Sequence, residues 1–295
     1  MRAELLKIRT TVSGRTLVAV LALGGALLLV VSAAAPALLR ALIDLDARHP
    51  ELRLTSAGDE RYAGLMELLD LRAAGFQLSL VDVVSTGPFA GSGSVGLVTT
   101  CALLVGVLVG AGDFRHGGIV AAALTTPDRL RLVANKAGAV CATLAGAGIV
   151  LVAVSVTALT SAVLPTPGAG FRVTPLQIAA VGLRGVLVLV LLGLVGLGLG
   201  LLIRHVTVAV VLVFAVSVAE PVLAVVARVV IGEVPTVIAA LPLSASQLAT
   251  RGSTLGAEIG LSGSLSSTTA LLTLTGWAAL TLAAGAWRTH HHDLA

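Results

Sequence analysis

Charged and aromatic residues, on which soluble proteins rely, are scarce in this sequence. Of its 295 residues, 12% are charged and 3% are aromatic, whereas 57% are hydrophobic and the mean hydropathy is +1.03. This composition excludes an ordinary soluble domain. Apolar runs of about 20 residues recur, which is the length that a helix needs to cross a bilayer. The alternating segments of about 10 residues that are typical of membrane β-barrels are absent. We therefore predict an all-α polytopic membrane protein.

Cysteine and lysine are also rare. The two cysteines, Cys101 and Cys141, fall inside apolar runs, so we expect neither a disulfide framework nor a metal site. The only lysines are Lys7 and Lys136, and neither lies in the Gly-Lys-Ser/Thr sequence that a phosphate-binding P-loop requires. We therefore expect no ATP site and no cofactor in this chain. No spacing of nucleophile and base indicates an enzyme, and three adjacent histidines in the tail, 290–292, favour a surface segment over a metal site.

The apolar runs predict six transmembrane helices in one domain, 1–295. The predicted spans are 16–39, 93–111, 137–164, 176–203, 206–231 and 267–287. Residues 1–15 mix cations with leucines and predict a helix lying in the membrane interface. Residues 40–92 predict a partly helical extracytoplasmic loop, and 232–266 predict an outer or re-entrant segment.

The first apolar run has a second interpretation. Ala33, Ala34 and Ala35 resemble the small-residue site at which a secretory signal is cleaved. The run is longer than the usual signal core of about 7–15 residues, and further spans follow it. We favour an uncleaved first span.

Glycines in the fourth run predict its packing. Gly193, Gly196, Gly198 and Gly200 recur within 176–203. Small residues let membrane helices approach closely, because packing rather than hydrophobicity drives their association in lipid. We expect span four to contact several other helices.

The distribution of charge predicts the orientation. With the N-terminus inside, the inner segments carry ten cations and four acids. The cations are Arg2, Lys7, Arg9, Arg15, Arg115, Arg129, Arg131, Lys136, Arg204 and Arg288. Because cytoplasmic loops are enriched in Lys and Arg, we expect six crossings of the cell membrane with both termini cytoplasmic. The same rule explains the net charge of +4 without a nucleic-acid partner.

Two ionisable residues fall inside predicted spans: Arg184 in span four and Glu220 in span five. Charge within a membrane is costly, so each should face a partner or a wet cavity. Counted along the helices, Arg184 lies ~12 Å and Glu220 ~17 Å from the outer end. We predict that they form an ion pair, which either fixes the register of the two helices or serves a substrate pathway or gate.

A polar segment, residues 112–136, separates spans two and three. It reads as a turn, a short helix, a Thr-Pro break and a second helix, with Pro127 and Asp128 suited to a helix start. The residues of interest are Asp113, Arg115, His116, Gly117, Gly118, Pro127, Asp128, Arg129, Arg131 and Lys136.

This order of residues resembles the loop between spans two and three of type-2 ATP-binding cassette (ABC) permeases. The common form in that family is Glu, three residues, Gly-Thr, a short helix, Pro-Ser-Arg and a Lys. Here Asp113 stands where Glu is usual, Gly118 where Thr is usual, and Asp128 where Ser is usual. The six-span layout and the outer element between spans five and six are similar as well.

The resemblance implies that residues 112–136 form the cytoplasmic coupling helix that contacts a nucleotide-binding partner. It implies a permease subunit, an exporter, that pairs with a second permease copy and with separate ABC ATPase subunits, which hold ATP and Mg. Two other functions stay open. One is a membrane scaffold or assembly protein whose inner loop docks a partner without transport. The other is a secondary transporter, which would be expected to carry internal repeats and an ion site at the midplane.

Overall fold

The computed structural model describes residues 2–49, 69–85, 96–115, 129–166, 168–232, 234–251 and 265–291. Regular structure within these ranges is helical throughout. The helices are α1 (Arg2–Thr10), α2 (Val12–Ala19), a π-helical turn (Val20–Gly24), α3 (Gly25–Arg48), α4 (Ala74–Val81), α5 (Leu97–Arg115), α6 (Arg129–Val163), α7 (Pro175–Ile203), α8 (Val206–Ile231), α9 (Thr236–Ala239), α10 (Pro242–Arg251) and α11 (Ser267–His291).

Five helical segments are long and apolar enough to cross a membrane. They are Val12–Asp46, Leu130–Val163, Pro175–Ile203, Val206–Ile231 and Ser267–Thr289. The apolar part of α5, Leu97–Gly112, is shorter. The prediction of an all-α chain with several helices able to span a membrane is therefore confirmed for the described residues, with five segments of spanning length where six were predicted.

Several helices extend beyond the predicted spans, and two of them do so by eight residues or more. The first continues to Arg48 rather than ending at residue 39, and α6 begins at Arg129 rather than at residue 137. Hydropathy identifies only the apolar part of a helix. The backbone hydrogen bonds of the helix continue into polar residues until a helix-ending residue or a turn interrupts them. The polar ends of these helices are therefore continuous with the apolar parts.

Helix α7 has well-defined ends. At its start, the Thr174 hydroxyl accepts a hydrogen bond from the Gln177 amide N–H, and the Gln177 side chain accepts one from the Thr174 N–H, which is a capping box. Pro175 occupies the first helical position, where no amide hydrogen is needed. At its end, Arg204 has a left-handed backbone with φ 62°, which turns the chain directly into α8.

Helix α7 is the most buried of the five segments of spanning length and packs against α5, α6 and α11. A β-carbon on Gly196 would overlap the Leu103 carbonyl of α5, and one on Gly106 of α5 would overlap the Gly193 carbonyl. On another face, Gly198 lies against the backbone of α11 at Thr281. The prediction that this glycine-rich span contacts several helices is confirmed.

Alternating helix directions give the bundle two ends. We call the end where α5 finishes and α6 begins the Lys136 end. The opposite end, where α4, the α6–α7 connection and the end of α10 meet, is called the Asp82 end.

The close contact between α5 and α7 predicts the effect of single methyl groups. Gly196→Ala should lower the free energy of unfolding by about 1–3 kcal/mol, because the β-carbon has no space against the Leu103 carbonyl. In contrast, Gly146→Ala in α6 meets no atom within 4 Å and should be neutral or stabilising by up to about 1 kcal/mol. Thermal unfolding in detergent measures both variants. Equal effects at the two positions would contradict the proposed packing.

Candidate functional site

The predicted coupling segment is described only at its borders. Helix α5 ends at Arg115 and α6 begins at Arg129, while residues 116–128 lie outside the described ranges. These residues include the predicted short helix with His116, Gly117, Gly118, Pro127 and Asp128. The side chains of Asp113, Arg115 and Arg129 also lie outside the description, whereas the Arg131 side chain is exposed.

Lys136 differs from the prediction. Expected at the membrane surface or against a partner, it is only 1% exposed. Its Nζ donates a hydrogen bond to the Val109 carbonyl of α5 at 3.0 Å and lies 3.9 Å from Glu4 Oε1 of α1. Lys136 therefore joins α1, α5 and α6 and cannot contact another protein directly. The sequence indicated a cation at a helix entry but not the direction in which its long side chain points.

Two further arginines tie the helices together at the Lys136 end. The Arg204 guanidinium stacks over the Phe114 ring at 5.3 Å and donates to the Arg288 carbonyl at 3.1 Å. Arg288 in turn donates to the Leu202 carbonyl. These guanidinium groups donate hydrogen bonds to carbonyls in the last turns of α7 and α11, which have no partner within their own helices. The ends of α5, α7 and α11 are thereby held in one layer.

A buried ion pair lies at the Asp82 end. Asp82 Oδ2 accepts from Arg251 Nε at 3.1 Å and from the Thr250 hydroxyl at 2.9 Å. Asp82 Oδ1 accepts from the amides of Val84 and Ser85, so both carboxylate oxygens are satisfied. The Asp82 and Arg251 side chains are 0% and 2% exposed. This pair connects the turn after α4 to the end of α10.

Sequence analysis missed this pair. The partners are 169 residues apart, and neither belongs to a motif. A buried role for Arg251 could have been suspected only from its position at the end of the amphipathic stretch 242–251, since nothing along the chain indicates the partner.

Gln77 makes a second long-range connection at the same end. Its amide nitrogen donates to the carbonyls of Leu71 and Gly170 at 2.7 and 2.9 Å, and its carbonyl accepts from the Arg172 amide at 2.9 Å. The side chain is fully buried. Helix α4 is therefore fastened to the connection between α6 and α7.

The predicted pair of Arg184 and Glu220 is not formed in the described structure. Glu220 Oε2 instead accepts from the backbone amides of Leu243 and Ser244 at 3.1 and 3.0 Å, and from the Ser244 hydroxyl at 3.3 Å. Arg184 is half-buried and makes no ion pair with this carboxylate. The depth of a residue along its helix sets its height but not its direction around the axis. Glu220 points to α10 rather than to Arg184.

Helix α10 is consequently held at both ends. Glu220 receives its first amides, where a negative charge suits the helix dipole, and Asp82 binds Arg251 at its last residue. The indole nitrogen of Trp277 donates to the Ala240 carbonyl at 2.9 Å, just before α10 begins. Most side chains of α10 are buried against α7 and α11. The predicted outer or re-entrant segment thus contains a helix packed within the bundle.

Comparison with known proteins does not identify a function for this chain. No protein-family model matches the chain, and no curated protein or solved structure matches it. Within the described ranges, no group of three or more His, Cys, Asp or Glu side chains could hold a metal ion. The features that could carry function are the segment between α5 and α6 at one end and the fastened α10 at the other.

The Asp82–Arg251 pair predicts strongly coupled stability effects. Arg251→Met leaves a buried carboxylate without its cation and should cost about 3–5 kcal/mol, because an uncompensated buried charge is expensive. Adding Asp82→Asn removes that charge and should recover part of the loss. A double-mutant cycle by chemical or thermal unfolding measures the coupling.

Arg172→Met is the matched control for this cycle. The Arg172 side chain is exposed, so its loss should change stability by less than about 0.5 kcal/mol. Additive effects of the Asp82 and Arg251 variants would contradict a direct pair.

Proposed function

We propose that this chain is the membrane-spanning permease subunit of a type-2 ABC transporter, working as an exporter. It pairs with a second permease copy and is driven by separate ATPase subunits that bind ATP and Mg. The observation that carries the proposal is the polar segment 112–136, with its Asp113, Gly118, Pro127 and Arg129 pattern, set between two apolar helices at the cation-rich end.

The contacts of Lys136 give it a different role from the other cations of this segment. Because Lys136 is buried against α1 and α5, it positions the segment rather than docking the ATPase. The docking cations in this proposal are Arg129 and Arg131, which begin α6, and the Arg131 side chain is exposed. A push on the segment would pass into α5 and α6 together, since Lys136 connects them, and would be converted into a tilt of the spans.

The proposed topology has six crossings of the cell membrane with both termini cytoplasmic. Helix α5 supplies the sixth crossing, its short apolar part being surrounded by α7, α8 and the start of the first span. The Lys136 end then faces the cytoplasm, where its ten cations satisfy the positive-inside rule and where ATP is present.

Copurification tests this proposal. The chain is co-expressed with the ABC ATPase encoded nearest to it, and the complex is isolated through a tag on the chain. Arg129→Glu with Arg131→Glu should abolish co-elution of the ATPase, because two docking cations become anions. Gel filtration and ATPase activity of the eluted complex are the measurements.

Arg40→Glu with Arg48→Glu is the matched control. It reverses two exposed arginines of α3, near the Asp82 end, and should leave co-elution unchanged. Loss of co-elution in both variants, or in neither, would contradict docking at the α5–α6 segment. Co-elution without ATP-driven transport of any amphiphile in proteoliposomes would favour the scaffold function instead.

A further inference from the structure

Two buried carboxylates hold α10, and they differ in how their charge is compensated. Asp82 has a guanidinium on one oxygen and two backbone amides on the other. Glu220 has three donors on Oε2, all of them neutral, and its buried Oε1 has no hydrogen-bond partner. Glu220 is 4% exposed and lies within a helix of spanning length. Both oxygens of Asp82 accept hydrogen bonds, whereas one oxygen of Glu220 does not.

The described charged side chains on the neighbouring helices do not supply a cation to Glu220. Helix α8 packs against α5, α7, α9 and α10. The ionisable residues of these helices are Cys101, Asp113 and Arg115 on α5, Arg184 on α7 and Arg251 on α10, and α9 has none. Arg228 is the other ionisable residue on α8, with His205 just before it. Of those whose side chains are described, none pairs with Glu220, and Arg251 is engaged by Asp82.

An unpaired carboxylate inside a membrane segment is costly, so a positive charge is expected to bind to it. A proton is the cation that needs no vacant volume, since it adds to the unused oxygen as an O–H bond. We propose that Glu220 is an intramembrane proton-binding site, with Oε1 taking up the proton and the charge of the carboxylate controlling its hold on α10. This proposal does not depend on the proposed transport function.

Neighbouring hydroxyls extend the site away from α10. Ser217 lies three residues before Glu220 on the same face of α8, and its Oγ accepts a hydrogen bond from Thr100 Oγ of α5 at 3.2 Å. Both side chains are buried. The Thr100–Ser217 contact thus lies about one turn along α8 from the contact between Glu220 and Ser244.

Protonation has a defined mechanical consequence. The carboxylate form attracts the positive N-terminal end of α10, and its hydrogen bonds to the Leu243 and Ser244 amides are charge-assisted. The carboxylic acid form retains the shape but loses the charge, so the start of α10 is held less tightly. Asp82 continues to hold the other end, and α10 would then pivot about Arg251 rather than detach.

Trp277 is a reporter built into the site, because its indole donates to Ala240 two residues before α10. Of the two tryptophans in the chain, Trp287 can be replaced by Phe, which leaves Trp277 as the only source of tryptophan emission. The purified full chain in lipid nanodiscs, carrying Trp287→Phe, is titrated from about pH 4 to 9, a range that covers carboxyl and imidazole groups. We expect one sigmoidal shift of the Trp277 emission.

Glu220→Gln added to this background should abolish the shift and fix the emission at its acid-form value at every pH, because the amide is neutral. His205→Gln is the control: it replaces an exposed side chain just before α8 and should leave the Trp277 titration intact. The absence of a shift in the Trp287→Phe protein, or its persistence in Glu220→Gln, would overturn the proposal.

Infrared difference spectra of the otherwise unmodified chain give a second test if Glu220→Gln does not fold. Acidification should produce a protonated-carboxyl band, and Glu220→Asp should displace it because the shorter side chain changes its surroundings. If acidification produced no carboxyl band that is shielded from exchange with D₂O, the proposal would equally be overturned.

Discussion

Close contact between helix backbones along α7 is the constraint on which the rest of the structure depends. Lipid is as apolar as a leucine side chain, so hydrophobicity does not draw membrane helices together, and the fit of their surfaces has to do so. The glycines of α5 and α7 bring carbonyl groups of one helix to the place where a β-carbon of the other would stand. The packing of α5 and α11 against α7 fixes the position of their terminal side chains along the bundle and the direction in which those side chains point.

The polar side chains inside the bundle follow from that packing. At the Lys136 end, Arg204 and Arg288 donate to carbonyls at the ends of α11 and α7, and Lys136 pairs with Glu4, which ties α1 to the spans. At the Asp82 end, a carboxylate and a guanidinium are enclosed together and Gln77 satisfies a connecting loop. In a low-dielectric surrounding each such group must find a partner, which makes these contacts specific as well as stabilising. Among the described carboxylates, Glu220 has a buried oxygen without a hydrogen-bond partner, and this oxygen is for that reason informative.

In the proposed transport cycle, the contacts at the two ends of the bundle would carry movement from one helix to the next. Force applied to the segment between α5 and α6 would enter the bundle beside Lys136 and act on α5, which packs directly on α7 and α8. Helix α10 lies against α7 and α11 and is bound to α8 through Glu220. A change in the angle between α5 and α8 would therefore reach α10 through Ser217 and Glu220. Proton uptake at Glu220 would act on the same helix from within the membrane.

The sequence by itself determined the properties that depend on local composition. Long apolar runs predicted the spanning helices, because a helix must satisfy its own backbone groups in lipid. The glycines of span four predicted its role as a helix-contact element, since small residues allow close approach of backbones. The prediction of a six-span ABC permease depended on the pattern from Asp113 to Lys136, most of which lies outside the described residues.

Only the tertiary structure decided which polar groups meet. Arg184 and Glu220 have suitable depths along their helices, yet a difference in rotation about the helix axes sends Glu220 to the amides of α10 instead. Lys136 points inward because α1 and α5 offer it a carboxylate and a carbonyl. Asp82 and Arg251 are brought together by the packing of helices that are far apart in the chain. Direction around an axis and contact across long separations are properties of the packed bundle, and no local pattern of residues encodes them.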